Sequence, residues 1–264
     1  MTAGVLLFAY NNDHIDYVKL AEWSAERIHR HLDLPVGIVT DAQTVDSVFD
    51  YHIITDLPGS SGRYFADYDQ LVEWKNGNRS SAFDLSPWDT TLVLDADYVV
   101  ASDQLLQLLD SQQDFLTPAN AYDVTGMATF DDLNVFGKFA LPICWATVLF
   151  FRKTHRIKML FDTVDMVRRN WHHYRALYQI SRSAYRNDFA FAIAANLTHG
   201  QVLNWPSVPW SLASVVPEHR LAQVDADCFS VHYQTPDAKH KRTQLNQIDF
   251  HAMGKRDLGA IIGN

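Results

Sequence analysis

"TTLVLDADYVV", Thr90–Val100, is the stretch whose reading decides the fold: an apolar, β-rich run ends in two aspartates one residue apart. The turn signal "SPWD" (Ser86–Asp89) precedes it, so the run predicts a strand. Side chains alternate along an extended chain, which puts the carboxylates of Asp95 and Asp97 on one side, able to face one cation, and turns Ala96 away.

Working outward, "GVLLFAY" (Gly4–Tyr10) reads as a first strand, and Tyr17, Leu20, Ala21, Ser24, Ile28 and Leu32 recur at helical spacing. "LPVGIVTD" then reads as a second strand ending at Thr40 and Asp41, which completes a βαβ opening. "PGSSGRY", from Pro58, predicts a mobile surface loop, with a helix from about Tyr64 towards Leu85. "SDQLLQLLD" predicts a short helix capped by Ser102, and the irregular stretch from Asn120 to Phe139 is a candidate lid. "CWATVLFFRKT" resumes as a strand, and two helical segments cover about His155 to Leu197. The proline-rich "NWPSVPWSLASVVP" reads as a loop, and "CFSVHYQTP" as the last strand of the core.

The expected class is α/β: a Rossmann-like, mixed, mainly parallel sheet flanked by helices, in a single domain over residues 1–264. In such a sheet the ligand crevice lies beyond the carboxyl ends of the strands, where Tyr10, Asp41, Asp95 and Asp97 would emerge together.

Composition narrows the classes of partner. With 47% hydrophobic and 20% charged residues the chain is an ordinary globular protein. Its formal net charge of −9 opposes polyanion binding, except where "KHKR" (Lys239–Arg242) and, further on, Lys255 and Arg256 gather positive charge. That gathering suits a phosphate-bearing ligand, or merely a solvated face. Cys144 and Cys228 lack the spacing of a thiolate zinc site or a disulfide framework and read as buried thiols. No run is long enough to span a bilayer, and the first apolar run lacks the flanks of a secretory signal, so a cytoplasmic location is expected.

"WKNGNRSSAFDLSPWDTTLVLDADYVV" (Trp74–Val100) resembles the central block of GT-A glycosyltransferases, in particular the glycogenin-like and galactosyltransferase-like family. There a basic residue on a helix precedes a turn and an apolar strand carrying Asp-x-Asp; here Lys75 or Arg79 takes the basic position. The resemblance extends to the first strand–helix–strand and, more loosely, to "LPICWATVLFF" and the histidine of "FSVHYQTP". It implies a metal-dependent transfer of sugar from a nucleotide-sugar, in the first place a UDP-sugar, with residues 1–117 as the donor-binding half and 118–264 as the acceptor half. It implies that Asp95, Asp97 and His232 hold Mn²⁺ or Mg²⁺, with Asp95 also near the ribose, and that Lys75, Arg79 and Lys239 face the diphosphate. Tyr10 stands where the family packs a residue beside the base.

The late block departs from the family pattern, in which the histidine leads through a glycine to a lysine. "HYQTPDAKHK" has Thr235 in the glycine's place and Lys239 one residue late. Asn187 and Asp188 in "YRNDFAFAIAANL" sit at a helix start, where they either cap free amides or face the acceptor; in an inverting enzyme Asp188 would be the base. Trp145, Trp171, Trp205 and Trp210 fall in the acceptor half and read chiefly as core, with stacking on a sugar as the sharper option. A second "DAD", Asp225–Asp227, lacks a preceding apolar strand and reads as a surface turn.

The acceptor stays open between saccharide, protein, lipid headgroup and modified nucleobase; the last would make the protein a nucleobase-modifying enzyme. Two other functions compete. "LDADYVV" also fits a haloacid-dehalogenase-like phosphatase with Asp95 as nucleophile, although that motif usually opens its fold and here a βαβ unit precedes it. A non-catalytic nucleotide-sugar-binding protein would keep the fold without turnover.

Overall fold

The computed structural model of the protein describes residues 2–56, 61–65, 70–128, 134–181, 184–199 and 207–263. The βαβ opening stands as the periodicity predicts. β1 (Ala3–Phe8) is buried from Gly4 onward, as a strand covered on both faces must be. α1 (Tyr17–Leu32) starts at Asp16, whose carboxylate accepts the Lys19 amide, and buries Leu20, Ala21, Ser24 and Ile28 at helical spacing. β2 (Val36–Thr40) and β3 (Tyr51–Ile54) then extend the sheet in parallel.

The expected helix from Tyr64 to Leu85 is replaced by a hairpin and a short helical turn. β4 (Ser61–Phe65) pairs antiparallel with β5 (Gln70–Trp74), so the end of "PGSSGRY" is strand, while its Pro58–Ser60 portion and residues 66–69 lie outside the described residues. Helical structure begins only with the 3-10 turn Arg79–Ser81 and α2 (Ala82–Leu85). The reason is local: Tyr64, Phe65, Val72 and Trp74 favour extended chain, and "NGN" (Asn76–Asn78) interrupts any helix that reaches it.

β6 (Thr90–Asp95), the strand of the opening quotation, lies in the middle of the six-stranded sheet β3-β2-β1-β6-β12-β8, parallel to β1. Its register against β1 depends on a glycine. A Cβ on Gly4 would lie 2.2 Å from the Trp88 ring, so only glycine lets the "SPWD" turn fold over β1. β7 (Tyr98–Val99) leaves this sheet for another. A 3-10 helix, Gln104–Leu108, follows with Ser102 Oγ accepting the Gln104 amide at 3.2 Å, then β8 (Phe115–Leu116) and β9 (Ala121–Asp123). The expected irregular stretch therefore holds short strands, β9 and half of the β10 (Val135–Phe136) and β11 (Leu141–Pro142) ribbon, with 129–133 outside the described residues. β12 (Val148–Arg152) runs antiparallel to both β6 and β8.

Among the described residues three helices, not two, occupy the next segment: α3 (His155–Arg169), α4 (Trp171–Leu177) and α5 (Asn187–Thr198). Phe83, Phe115, Phe151, Phe161 and Phe191 stack among themselves and seal α3 and α5 to the sheet. The proline-rich loop contains β13 (Leu212–Val215), the third strand of the four-stranded sheet β7-β17-β13-β9.

β14 (Arg220–Asp225), β15 (Cys228–Gln234) and β16 (His240–Asn246) form a separate antiparallel sheet, so "CFSVHYQTP" is its middle strand and not the last strand of the core. Phe229 of β15 meets Trp23 of α1 edge to face, and Arg27 lies between the two rings. β17 (Phe250–Ala252) then returns beside β7, and α6 (Lys255–Ile261) follows. Among the described residues no helix is long and apolar enough to cross a membrane.

Candidate functional site

Asp95 is the last residue of β6, and residues 96–97 form a turn before β7. The two aspartates therefore do not share one extended strand. The turn, rather than the period of two, brings the carboxylates together, and it leaves Asp97 buried while Asp95 stays partly open.

A histidine comes to this turn from β17. The Ala252 amide donates to the Asp97 carbonyl at 3.0 Å, His251 lies opposite Tyr98, and His251 Nε2 is 3.4 Å from Asp97 Oδ2. One ligand atom from each of Asp95, Asp97 and His251 falls within 4.8 Å of the others. Two carboxylates and an imidazole make a donor set of the kind that Mn²⁺ accepts, so the residues present fit the expected cation.

Two side-chain cations balance the carboxylates. Arg79, 1% exposed, pairs with Asp95, donates to the Ala146 carbonyl at 2.9 Å and lies over the Phe8 ring. Lys255, the first residue of α6, pairs with Asp97. Burial alone would raise the Asp97 carboxyl, but Lys255 and His251 outweigh it and hold the group well below the usual carboxylate range. Asp97 is thus ionised, as a metal ligand must be.

The other expected residues divide into those near this centre and those away from it. The Tyr10 hydroxyl is 2.8 Å from Thr55 Oγ1, in a pocket where burial, more than the Asp41 charge, raises its pKa. Lys75 Nζ lies 3.7 Å from Asp41 and 3.9 Å from Glu73. Asp188 accepts the Ala146 amide at 2.9 Å and pairs with Arg186 at 2.7 Å, so the Ala146 peptide joins it to the Arg79–Asp95 pair. Asp188 lies in the first turn of its helix, whose N-cap position is Arg186. Asn187 donates to the Asn76 carbonyl at 2.9 Å, which ties α5 to the "NGN" turn.

The structure places His232 away from the aspartates. Its side chain is exposed on β15, between Arg220 and Arg242 and 2.9 Å from Ser230 Oγ, and the triad beside the aspartates contains His251 instead. Lys239 likewise stands in the β15–β16 turn, 2.6 Å from Asp237 and largely exposed. Both follow from the hairpin sheet, which separates this segment from β17. A signal for the missed pair was present: in "HAMGK" (His251–Lys255) a histidine leads through a glycine to a lysine, the order that the resemblance implies and that "HYQTPDAKHK" lacks. Trp145 and Trp171 are core, Trp210 is partly buried against the core, and Trp205 lies outside the described residues. Cys144 is a buried thiol pushed up to about 12 by burial and by Asp188, whereas Cys228 is half-buried.

No family model and no curated protein matches the sequence. Among solved structures, the chain is similar to the glycosyltransferase GlyE of Streptococcus pneumoniae TIGR4 at 14% identity and a TM-score of 0.44, over 79% of this chain and 46% of that one. It is similar to the galactosyltransferase LgtC in complex with donor and acceptor sugar analogues at 14% identity and a TM-score of 0.45, over 72% and 70%. It is also similar to apo mouse xyloside xylosyltransferase 1 at 12% identity and a TM-score of 0.45, over 76% and 84%. The chain thus spans less than half the length of GlyE.

Proposed function

We propose that the protein is a metal-dependent glycosyltransferase that moves a sugar from a nucleotide-sugar, in the first place a UDP-sugar, to an acceptor. One observation carries this reading: Asp95, Asp97 and His251 converge at the carboxyl end of β6, with Lys255 and Arg79 against them. Asp95, Asp97 and His251 would hold Mn²⁺ or Mg²⁺. The cation supplies positive charge where the diphosphate departs. Lys255, at the start of a helix and beside Asp97, and Lys75 are placed to meet phosphate oxygens, while Tyr10 and Asp41 lie on the nucleoside side. Residues 1–117 form the donor half, and the acceptor half supplies His251 and Lys255. Asp188, with Asn187, faces the sugar or the acceptor hydroxyl. Saccharide, protein, lipid headgroup and nucleobase are the acceptor classes to be separated.

The pairing of Asp95 with Arg79 weighs against a phosphatase, because a carboxylate masked by a buried guanidinium is a poor nucleophile. The test is a thermal-shift panel over UDP, GDP, CDP and ADP, with and without Mn²⁺. UDP should stabilise the protein only when Mn²⁺ is present. Absence of stabilisation by every nucleotide in the panel overturns the proposal.

A further inference from the structure

Resting on the metal reading above, we infer that Ser214 is the positioning residue for His251: its hydroxyl oxygen accepts a hydrogen bond from the second imidazole N–H and fixes the ring for the cation. Ser214 and His251 are register partners on the parallel strands β13 and β17. Register partners project to the same face of a sheet, with strands about 4.8 Å apart, so the two side chains are immediate neighbours. Ser214 is fully buried and His251 is buried.

Both carry an unmet need. Ser214 Oγ and His251 Nδ1 are buried atoms without a hydrogen-bond partner among the described residues. Burying one lone polar atom is costly, and two adjacent ones of complementary chemistry point to a bond that forms when the ring is set. The assignment of nitrogens agrees, because Nε2 is the one on the Asp97 side. A neutral imidazole that offers Nε2 as a ligand carries its proton on Nδ1, and that proton then has Ser214 Oγ as its acceptor. Metal-ligating histidines generally donate their other N–H in this way, and loss of such a partner costs about 10–100-fold in metal affinity.

A purely structural serine predicts the opposite sign. Removing an unpartnered buried hydroxyl would leave metal binding alone and stabilise the fold slightly. The experiment is Mn²⁺ titration followed by the electron paramagnetic resonance of free Mn²⁺, with UDP present, on the wild type, Ser214→Ala, Ser214→Cys and His251→Ala, with each melting temperature recorded. Both Ser214 variants should bind Mn²⁺ about 10–100-fold more weakly while melting no lower than about the wild type. Using two substitutions of different volume keeps the result readable if one of them fails to fold. Unchanged Mn²⁺ affinity in a folded Ser214 variant, alongside weakened binding in His251→Ala, overturns the inference and leaves the metal reading standing. A wild type that binds no Mn²⁺ overturns both.

Discussion

The tripeptide Asp-Ala-Asp occurs twice, at 95–97 and at 225–227, and the two copies occupy opposite roles. Each places one carboxylate on a buried arginine: Arg79 meets Asp95, and Arg27, 2% exposed, meets Asp227 at 2.8 Å. The difference lies in the second carboxylate. Asp97 turns inward, and His251 and Lys255 reach it from distant sequence. Asp225 instead accepts the amide of its own neighbour Ala226 at 2.7 Å, and it ends a mostly exposed strand. One carboxylate on an arginine is an anchor, here fastening the β14–β15 turn to α1 through Arg27 and His31. Two carboxylates with a converging imidazole are the donor set proposed above for a cation.

Substitution at the second carboxylate should separate the copies most sharply. Asp97→Asn should lower Mn²⁺-dependent UDP release from a UDP-sugar by about 10²–10³-fold, since it removes a ligand of the charge that faces the leaving diphosphate. Asp225→Asn should leave that rate within about twofold, as surface changes usually do. Equal losses in both variants would erase the distinction drawn between them.

The histidines give a smaller contrast. His251→Ala should weaken Mn²⁺ binding by about 10–100-fold, the scale seen when a metal site loses one of its supports. His232→Ala should bind like the wild type, because the His232 side chain is exposed on the hairpin sheet, away from the aspartates. The reverse pattern in a calorimetric titration would return the metal site to β15.

At the anchor, the expected effect is on stability. Asp227→Asn should cost about 1–1.5 kcal/mol in urea unfolding, the net worth of a typical hydrogen bond, with transfer per folded molecule unchanged. A lost rate would mean that the second copy contributes to the site. The pH response is smaller still. Burial raises the Asp227 carboxyl, but His31 and Arg27 outweigh it, so the folded protein holds this group below its ordinary value of 3.8. Its contribution is whole above the unfolded value and is lost as pH falls through the folded one. Asp227→Asn should therefore show a shallower loss of stability than the wild type below about pH 4. Parallel curves for the two proteins would remove Asp227 from the anchor.

Which parts of this were legible in the sequence follows the range of the interactions. β1, α1, β2 and β6 are written in local periodicity, because each presents its apolar residues at a single repeat. The hairpin at 61–74 was hidden because its strands are short and the pattern over Tyr64–Leu85 also fits a helix with aromatic positions. Asp95 and Asp97 could be read as a pair, although the turn that joins them could not, since Tyr98 and Val99 continue the apolar run into a different sheet. His251 was missed because its pairing with the aspartates is wholly non-local, and β17 is only three residues long.

That shortness bears on how the protein folds. β7 and β17 share two residue pairs, Phe250 with Val99 and His251 with Tyr98, and closing them brings together residues about 150 positions apart in the sequence. Contacts so distant in sequence form slowly, so the proposed cation centre should be among the later parts to assemble. In the finished protein the two-rung ladder is buried, with β17 flanked by β7 and β13. Amide exchange at Ala252, whose N–H crosses to the Asp97 carbonyl, is therefore a local clock for the proposed site: it should slow when Mn²⁺ and UDP are added, and an unchanged rate would place neither ligand at this turn.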